Sequence, residues 1–140
     1  MATPNISADP AAAFDGSDLG DILDDLDGIH AGIDLIRAGA AHIATSARTG
    51  DLTPRQTRLL LASLAGSPDA TDVIGLIAAL ITELTSTDTN PSVAALPDEQ
   101  GKTVRHQGEI AAHHLNDPTL RDPAAAAVAA LEHREGRCTP

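Results

Sequence analysis

The sequence is nearly devoid of aromatic residues. Among 140 residues Phe14 is the only phenylalanine, and there is no tryptophan or tyrosine. Hydrophobic residues still make up 42% of the chain, so its core has to be built from leucine, isoleucine, valine and alanine. Such a composition favours helices, because sheets draw mainly on aromatic and β-branched residues. The lack of aromatic rings also removes the side chains on which single-stranded nucleic acid stacks.

Cysteine, lysine and long apolar runs are scarce as well. Cys138 is the only cysteine, so no disulfide can form within the chain. The longest apolar stretch is residues 73–81, which falls far short of the roughly 20 residues of a membrane-spanning helix. The first ten residues contain neither the basic nor the apolar segment of a secretory signal. We therefore expect a cytoplasmic protein without a membrane contact, and the eight arginines against one lysine are typical of GC-rich bacterial coding.

Basic residues are absent from the first quarter of the chain. Residues 1–36 contain eight aspartates and no lysine or arginine, within a total net charge of −11. The negative electrostatic field of these carboxylates repels nucleic-acid phosphates, so we expect no direct binding to nucleic acid. Solubility and complementarity to a helix dipole explain the aspartates. The alternative hypothesis is that they imitate DNA phosphates and inhibit a nucleic-acid-binding protein, with an acidic patch formed by Asp21, Asp24, Asp25 and Asp27.

The clearest periodic pattern starts at Ser17. Apolar residues recur at alternating spacings of three and four up to residue 47, which is a heptad pattern, and Gly50 is a typical residue to follow a helix. The pattern predicts one long first helix, whose glycines allow another backbone to approach closely. An intramolecular core and a dimer interface produce the same pattern, so both remain open. The candidate interface residues are Ile22, Ile29, Gly32, Ile33, Ile36, Gly39 and Ile43.

Capping signals predict the remaining helices. Thr53-Pro54-Arg55-Gln56 is a capping box with proline at the first helical position, and Gly66 ends that helix. Later segments with an N-capping residue, a proline or apolar periodicity are residues 67–86, 90–96, 98–115 and 122–136. Residues 67–86 have a wide apolar arc with small residues on the opposite side, so we expect a central helix that is buried on all sides.

No segment alternates as a strand does, and no internal repeat is visible. The sequence therefore predicts an all-α fold, a small bundle of four to five helices with a long heptad-patterned first helix. We expect a flexible leader over residues 1–16, a single helical domain over residues 17–136 and a frayed tail over residues 137–140.

The best candidate for catalytic chemistry is a group of two histidines and a carboxylate. His106, Glu109 and His113 share one face of the predicted helix 98–115, and this donor set is used for iron or zinc. That face is opposite the apolar one, which favours a solvated surface over a metal site. Gly-x-Ser-x-Gly elbows and glycine-rich phosphate loops do not occur. We therefore expect no enzyme activity and no cofactor.

These patterns favour a non-catalytic protein-binding function, as an accessory, regulatory or assembly component. The expected partner is another protein, including a second copy of the chain in a homodimer through the first helix. Two alternatives remain at this point. One is the acidic nucleic-acid mimic, and the other is a metal-dependent enzyme that uses His106, Glu109 and His113.

Overall fold

All regular secondary structure in the described part of the chain is helical. The computed structural model describes the backbone of residues 14–135 and the side chains of residues 14–132. It contains α1 (Asp18–Asp25), α2 (Ala31–Arg48), α3 (Pro54–Ala65), α4 (Val73–Thr85), α5 (Pro91–Ala94), α6 (Asp98–Leu115) and α7 (Pro118–Glu135). The predicted all-α class is confirmed. The described helices outnumber the four to five that the sequence predicted, and α5 is a single turn.

The chain divides into two compact units, Met1–Leu52 (unit 1) and Thr53–Pro140 (unit 2), where the sequence predicted one helical domain. Phe14, which the sequence assigned to the leader, is 2% exposed and belongs to the core of unit 1. The preceding leader residues and the predicted tail lie outside the described residues.

The prediction of one long heptad-patterned first helix is wrong, because the backbone breaks between α1 and α2. Gly28 lies in this connection with φ at +72°, a left-handed conformation that glycine adopts with little cost. His30 then caps α2, and its Nδ1 accepts a hydrogen bond from the Gly32 N–H at 2.8 Å. The apolar spacing runs through this connection without interruption, so spacing alone could not reveal the break.

Unit 1 has a small core. Phe14, Leu23 and Ala41 are buried together, and the guanidinium of Arg48 lies 4.4 Å from the centre of the Phe14 ring. Three partly buried residues pack against this cluster: Leu19, Ala40 and Ala44. Phe14, the only Phe, Tyr or Trp of the chain, thus belongs to this core.

Arg37 is the buried charged residue of unit 1. Its Nε donates a hydrogen bond to the Leu23 carbonyl oxygen at 2.6 Å, near the end of α1. Its Nη1 lies 3.1 Å from a carboxylate oxygen of Asp27 and 3.6 Å from one of Asp34. The Gly28 N–H donates to Asp34 at 3.3 Å. Arg37 therefore links the last turn of α1, the connection and the first turns of α2.

Unit 2 is built from two helix pairs, α3 with α7 and α4 with α6, while α3 also contacts α4 and α5 lies on α6. The capping box at Thr53 and Gln56 is present as predicted, and so is the helix over residues 98–115. Two predicted helix starts are wrong. The helix predicted to start at residue 67 is α4, which is capped by Asp72 and starts at Val73. The helix predicted to start at residue 122 is α7, which starts at Pro118. It runs through Pro123, whose missing N–H costs one backbone hydrogen bond.

A buried ion pair joins three helices of unit 2. Arg121 of α7 donates to both carboxylate oxygens of Asp72, at 2.7 and 2.9 Å, and to the Leu115 carbonyl oxygen at the end of α6, at 2.7 Å. The Asp72 carboxylate also accepts from the backbone N–H groups of Gly75 and Ser67. The hydrogen bonds from Arg121 hold the pKa of the Asp72 carboxyl well below its usual range, although burial acts in the opposite direction.

Candidate interaction surfaces

Large apolar side chains are exposed in both units. Isolated exposed apolar residues are normal on soluble proteins, but several on one face of one helix indicate a contact surface. Helix α4 has such a face, whereas on α2 the exposed large apolar residues are the neighbours Leu35 and Ile36, and Ile43 is half-buried. The exposed large apolar residues are Ile22, Ile29, Leu35 and Ile36 in unit 1, and Leu59, Val73, Leu76, Leu80, Leu84, Ile110 and Leu120 in unit 2.

The first surface, which we call the α2 face, consists of Gly32, Ile36, Gly39 and Ile43. At 3.6 residues per turn these four positions fall within about 60° of one another. Ile36 is 51% exposed, and Leu35 at the border of the face is 75% exposed. A Cβ placed on Gly39 would have no neighbouring atom within 4 Å. The space above this glycine is therefore open to an incoming side chain.

The charged residues of α2 lie on its other side. Around the helix axis, the mean direction of Asp34, Arg37 and Arg48 lies about 160° from the centre of the α2 face. Arg37 is buried, and the guanidinium of Arg48 lies over the Phe14 ring. A surface helix of a monomeric protein normally shows the reverse arrangement, with apolar residues inward and charged residues outward. Arg37 is therefore buried on one side of α2 and Ile36 is exposed on the other side, while Arg48 is itself exposed.

The break between α1 and α2 separates the seven predicted interface residues. Four of them form the α2 face. Ile33 is half-buried, on the side of α2 that carries the core residue Ala40. Ile22 and Ile29 are exposed, at 55% and 63%, but they precede α2 and lie in α1 and in the connection. The predicted heptad surface is thus not continuous, and four of its seven residues share one side of α2.

The second surface, the α4 stripe, consists of Val73, Leu76, Leu80 and Leu84, which fall within about 80° around the axis of α4. The three leucines are 58%, 44% and 64% exposed. The prediction that this helix is covered all round is therefore wrong. No helix in the described part of the chain is long and apolar enough to cross a membrane.

The α4 stripe is exposed because small residues occupy the contact between α4 and α6. Gly108 of α6 lies so close to Thr85 of α4 that a Cβ on the glycine would not fit. Ala78 and Ala112, on the same two helices, are also buried. The sequence shows the leucine spacing, but the glycine and alanine that accept the small side of α4 lie some 30 residues further along the chain.

The predicted acidic patch is exposed but short. Asp21, Asp24 and Asp25 lie on α1, whose eight residues span about 12 Å. Asp27 lies in the connection and forms an ion pair with Arg37. The mimic hypothesis requires carboxylates along an extended helix, and the break after α1 removes that helix.

The histidine–carboxylate group on α6 faces solvent. His106, Glu109 and His113 are all exposed, and Glu109 forms an ion pair with Arg105 at 3.4 Å. Among the described residues, no group of three or more His, Cys, Asp or Glu side chains is placed to hold a metal ion. An open cleft of about 320 Å³ beside α5 and α6 is lined partly by Arg105 and Lys102, and the Lys102 ammonium lies 3.8 Å from Glu99.

The chain matches no known family model, and no curated protein or solved structure is significantly similar to it. The α4 stripe and Ile36 of the α2 face are exposed apolar surface.

Proposed function

We propose that the chain is a non-catalytic protein-binding protein, an accessory, regulatory or assembly component, that associates with a second copy through the α2 face. The observation that supports the proposal is the position of Ile36, which is 51% exposed on a side of α2 that carries no charged residue. Burying the exposed apolar face gains roughly 25 cal/mol per Å². Because the α2 face carries no charge, a second copy brings no like charge against it, although each chain has a net charge of −11.

The α4 stripe supports binding of a second, different protein. Residues 59–101, which include α4, contain six acidic residues and no lysine or arginine. Glu83 is the only charged residue within α4 and lies beside Leu76 and Leu80 around the helix axis. A second copy of α4 would bring the same acidic side chains into contact, whereas a helix with lysine or arginine beside its apolar residues has complementary charge. We therefore assign the α4 stripe to a basic amphipathic helix of a partner protein.

The self-association is tested by Ile36→Asp, with the molar mass measured by light scattering over a range of protein concentrations. Wild type should form dimers as the concentration rises, and Ile36→Asp should remain monomeric, because an unpaired charge buried in an apolar contact costs several kcal/mol. The far-ultraviolet circular dichroism of the variant should stay helical, since Ile36 is half exposed in the single chain.

Ala38→Asp is the matched control. Ala38 is exposed on the same helix but lies about 130° from the α2 face, so the same new charge should leave the dimer intact. Wild type that stays monomeric at every concentration would contradict the proposal. Loss of helical structure in Ile36→Asp would also contradict it, because Ile36 would then belong to the core of the single chain.

A further inference from the structure

The N-terminus of α2 is capped by a histidine whose ring lies against a glycine. The Nδ1 atom of His30 accepts a hydrogen bond from the Gly32 N–H at 2.8 Å. The same nitrogen lies 3.1 Å from the position that a Cβ on Gly32 would occupy, and the neighbouring ring carbon Cε1 lies 3.5 Å from it. A larger residue at position 32 would therefore press on the ring, so His30 and Gly32 form the cap together.

This cap requires a neutral imidazole. A neutral ring has one acceptor nitrogen, which is Nδ1 here, so its proton is on Nε2. A protonated ring has an N–H donor at both nitrogens, so no rotation of the ring can restore the hydrogen bond from Gly32. Its positive charge would also lie beside the positive end of the helix dipole. Both effects act against the cap once His30 takes up a proton.

We infer that His30 is a pH-sensitive switch at the connection between α1 and α2, which closes the first turn of α2 at neutral pH and releases it in mild acid. Histidine side chains take up a proton near about pH 6.5, and aspartate side chains near about pH 4. Mild acid therefore changes the charge of histidines and leaves the carboxylates ionised. The switch does not depend on the proposed self-association, because all its parts lie in one chain.

The charges around the connection favour a protonated ring that has left the cap. The charged residues of the flanking elements are Asp24 and Asp25 of α1, Asp27 in the connection, and Asp34 and Arg37 of α2. The Arg37 guanidinium is already paired with Asp27 and Asp34. Four carboxylates and one guanidinium leave this region negative. An imidazolium that turns away from the Gly32 N–H is therefore stabilised by carboxylates, and Asp34 is one helical turn from His30.

Release of the cap affects the whole connection. The Asp34 N–H donates to the His30 carbonyl oxygen at 3.0 Å, which closes the first turn of α2. The Asp34 carboxylate accepts from the Gly28 N–H at 3.3 Å, so this side chain reaches back across the same turn. When the turn opens, both hydrogen bonds are weakened, while Arg37 still donates to the Leu23 carbonyl oxygen of α1. Mild acid should therefore loosen the connection without unfolding unit 1.

The switch is tested by nuclear magnetic resonance of the full chain between about pH 7.5 and 5.5. The ¹⁵N shifts of the His30 ring report its protonation, and the ¹³Cα shifts of residues 31–34 report the first turn. At neutral pH Nδ1 should be the unprotonated nitrogen. As the ring takes up its proton, the ratio of closed to open first turn should fall roughly fivefold, the equivalent of losing a typical N-cap. The two titrations should share one midpoint, and the ¹³Cα shifts of residues 38–46 should stay constant.

Three variants isolate the cap. His30→Asn supplies a cap that does not titrate, since asparagine is a preferred N-cap residue, so its first turn should stay closed over the whole pH range. His30→Ala should have an open first turn at every pH. His42→Asn is the matched control, because His42 is exposed further along the same helix, and this variant should titrate as wild type does.

A wild-type first turn that stays closed down to about pH 5.5 would overturn the inference. Equal changes in wild type and His30→Asn would overturn it too, because another group would then be responsible. So would a proton on Nδ1 at neutral pH, since that nitrogen could not accept from Gly32. Spectra at two protein concentrations separate the switch from self-association: a pH effect that depends on concentration would belong to the contact between copies and not to the cap.

Discussion

Units 1 and 2 are each organised around one buried arginine, but the two arginines have different partners. Arg37 of unit 1 pairs with Asp27 and Asp34, whose side chains are 64% and 46% exposed. Arg121 of unit 2 pairs with Asp72, whose side chain is fully buried. A carboxylate in contact with water can be solvated when its arginine is removed, whereas a buried one cannot. The two units therefore differ in how much their folds depend on one ion pair.

The units also differ in what they expose. On α2 the outward face alternates glycine with isoleucine, while on α4 leucines point outward and small residues point inward. On α2 the space above Gly39 is open, whereas on α4 the leucine side chains are exposed. The proposed partners differ because the α2 face is uncharged, whereas α4 lies within residues 59–101, which contain six acidic residues and no lysine or arginine.

The largest expected effect comes from removing the two arginines. Arg121→Met should lower the free energy of unfolding of unit 2 by about 3–5 kcal/mol, because the charge of Asp72 stays buried without the opposite charge of the arginine. Arg37→Met should lower the free energy of unfolding of unit 1 by only about 1.5–3 kcal/mol, the range for hydrogen bonds to charged groups. Amide hydrogen exchange, followed on peptides from each unit, measures both.

Asp72→Asn supplies the control for that comparison. The amide keeps an oxygen for the Gly75 N–H and removes the charge, so Arg121→Met/Asp72→Asn should recover part of the stability that Arg121→Met loses. If the two arginine variants lowered the free energy of unfolding of their units equally, the distinction between a buried and an exposed carboxylate partner would be contradicted.

Acid should weaken unit 2 through Asp72. The folded chain lowers the pKa of this carboxyl, so its contribution to stability is complete above the pKa of the unfolded chain, about 3.9. As the pH falls further, the unfolded chain binds the proton first and the contribution is lost progressively. Urea unfolding of wild type and Arg121→Met should therefore differ by a constant amount from neutral pH to about pH 5 and by less below about pH 4. A difference that grows in acid would contradict this assignment.

The smallest effects on stability are expected at the two surfaces. Leu76→Asp and Ile36→Asp replace exposed side chains, so each should change the stability of the single chain by about 0.5 kcal/mol or less. A helical peptide of leucine and lysine should bind wild type and Ile36→Asp equally, and Leu76→Asp weakly. Because Leu76→Asp makes the chain more acidic, weaker binding of a basic peptide can arise only from the lost apolar contact. Fluorescence anisotropy measures it, and unchanged binding would remove the α4 stripe as the site.

Features that depend on a few consecutive residues were predictable from the sequence. Thr53 caps α3 as predicted, and Ser17 and Asn90 also cap helices, since each side-chain oxygen accepts a hydrogen bond from a backbone N–H two or three residues later. Gly50 takes the expected left-handed conformation after α2, with φ at +75°. The acidic residues of α1 and the histidines of α6 are exposed, as helical spacing indicated.

The sequence by itself determined that this chain is helical, where several helices are capped and which residues of α2 share a face, because these properties depend on side chains within one or two turns. Only the tertiary structure decided which side of each helix is covered. Gly108 and Ala112 of α6 give α4 room to approach with its small residues, so Ala78 is buried and the leucines are not. Arg37 and Arg121 are buried for the same reason, since carbonyl and carboxylate oxygens from other helices meet around them. Burial depends on residues that are distant in the chain, and periodicity along one helix does not contain that information.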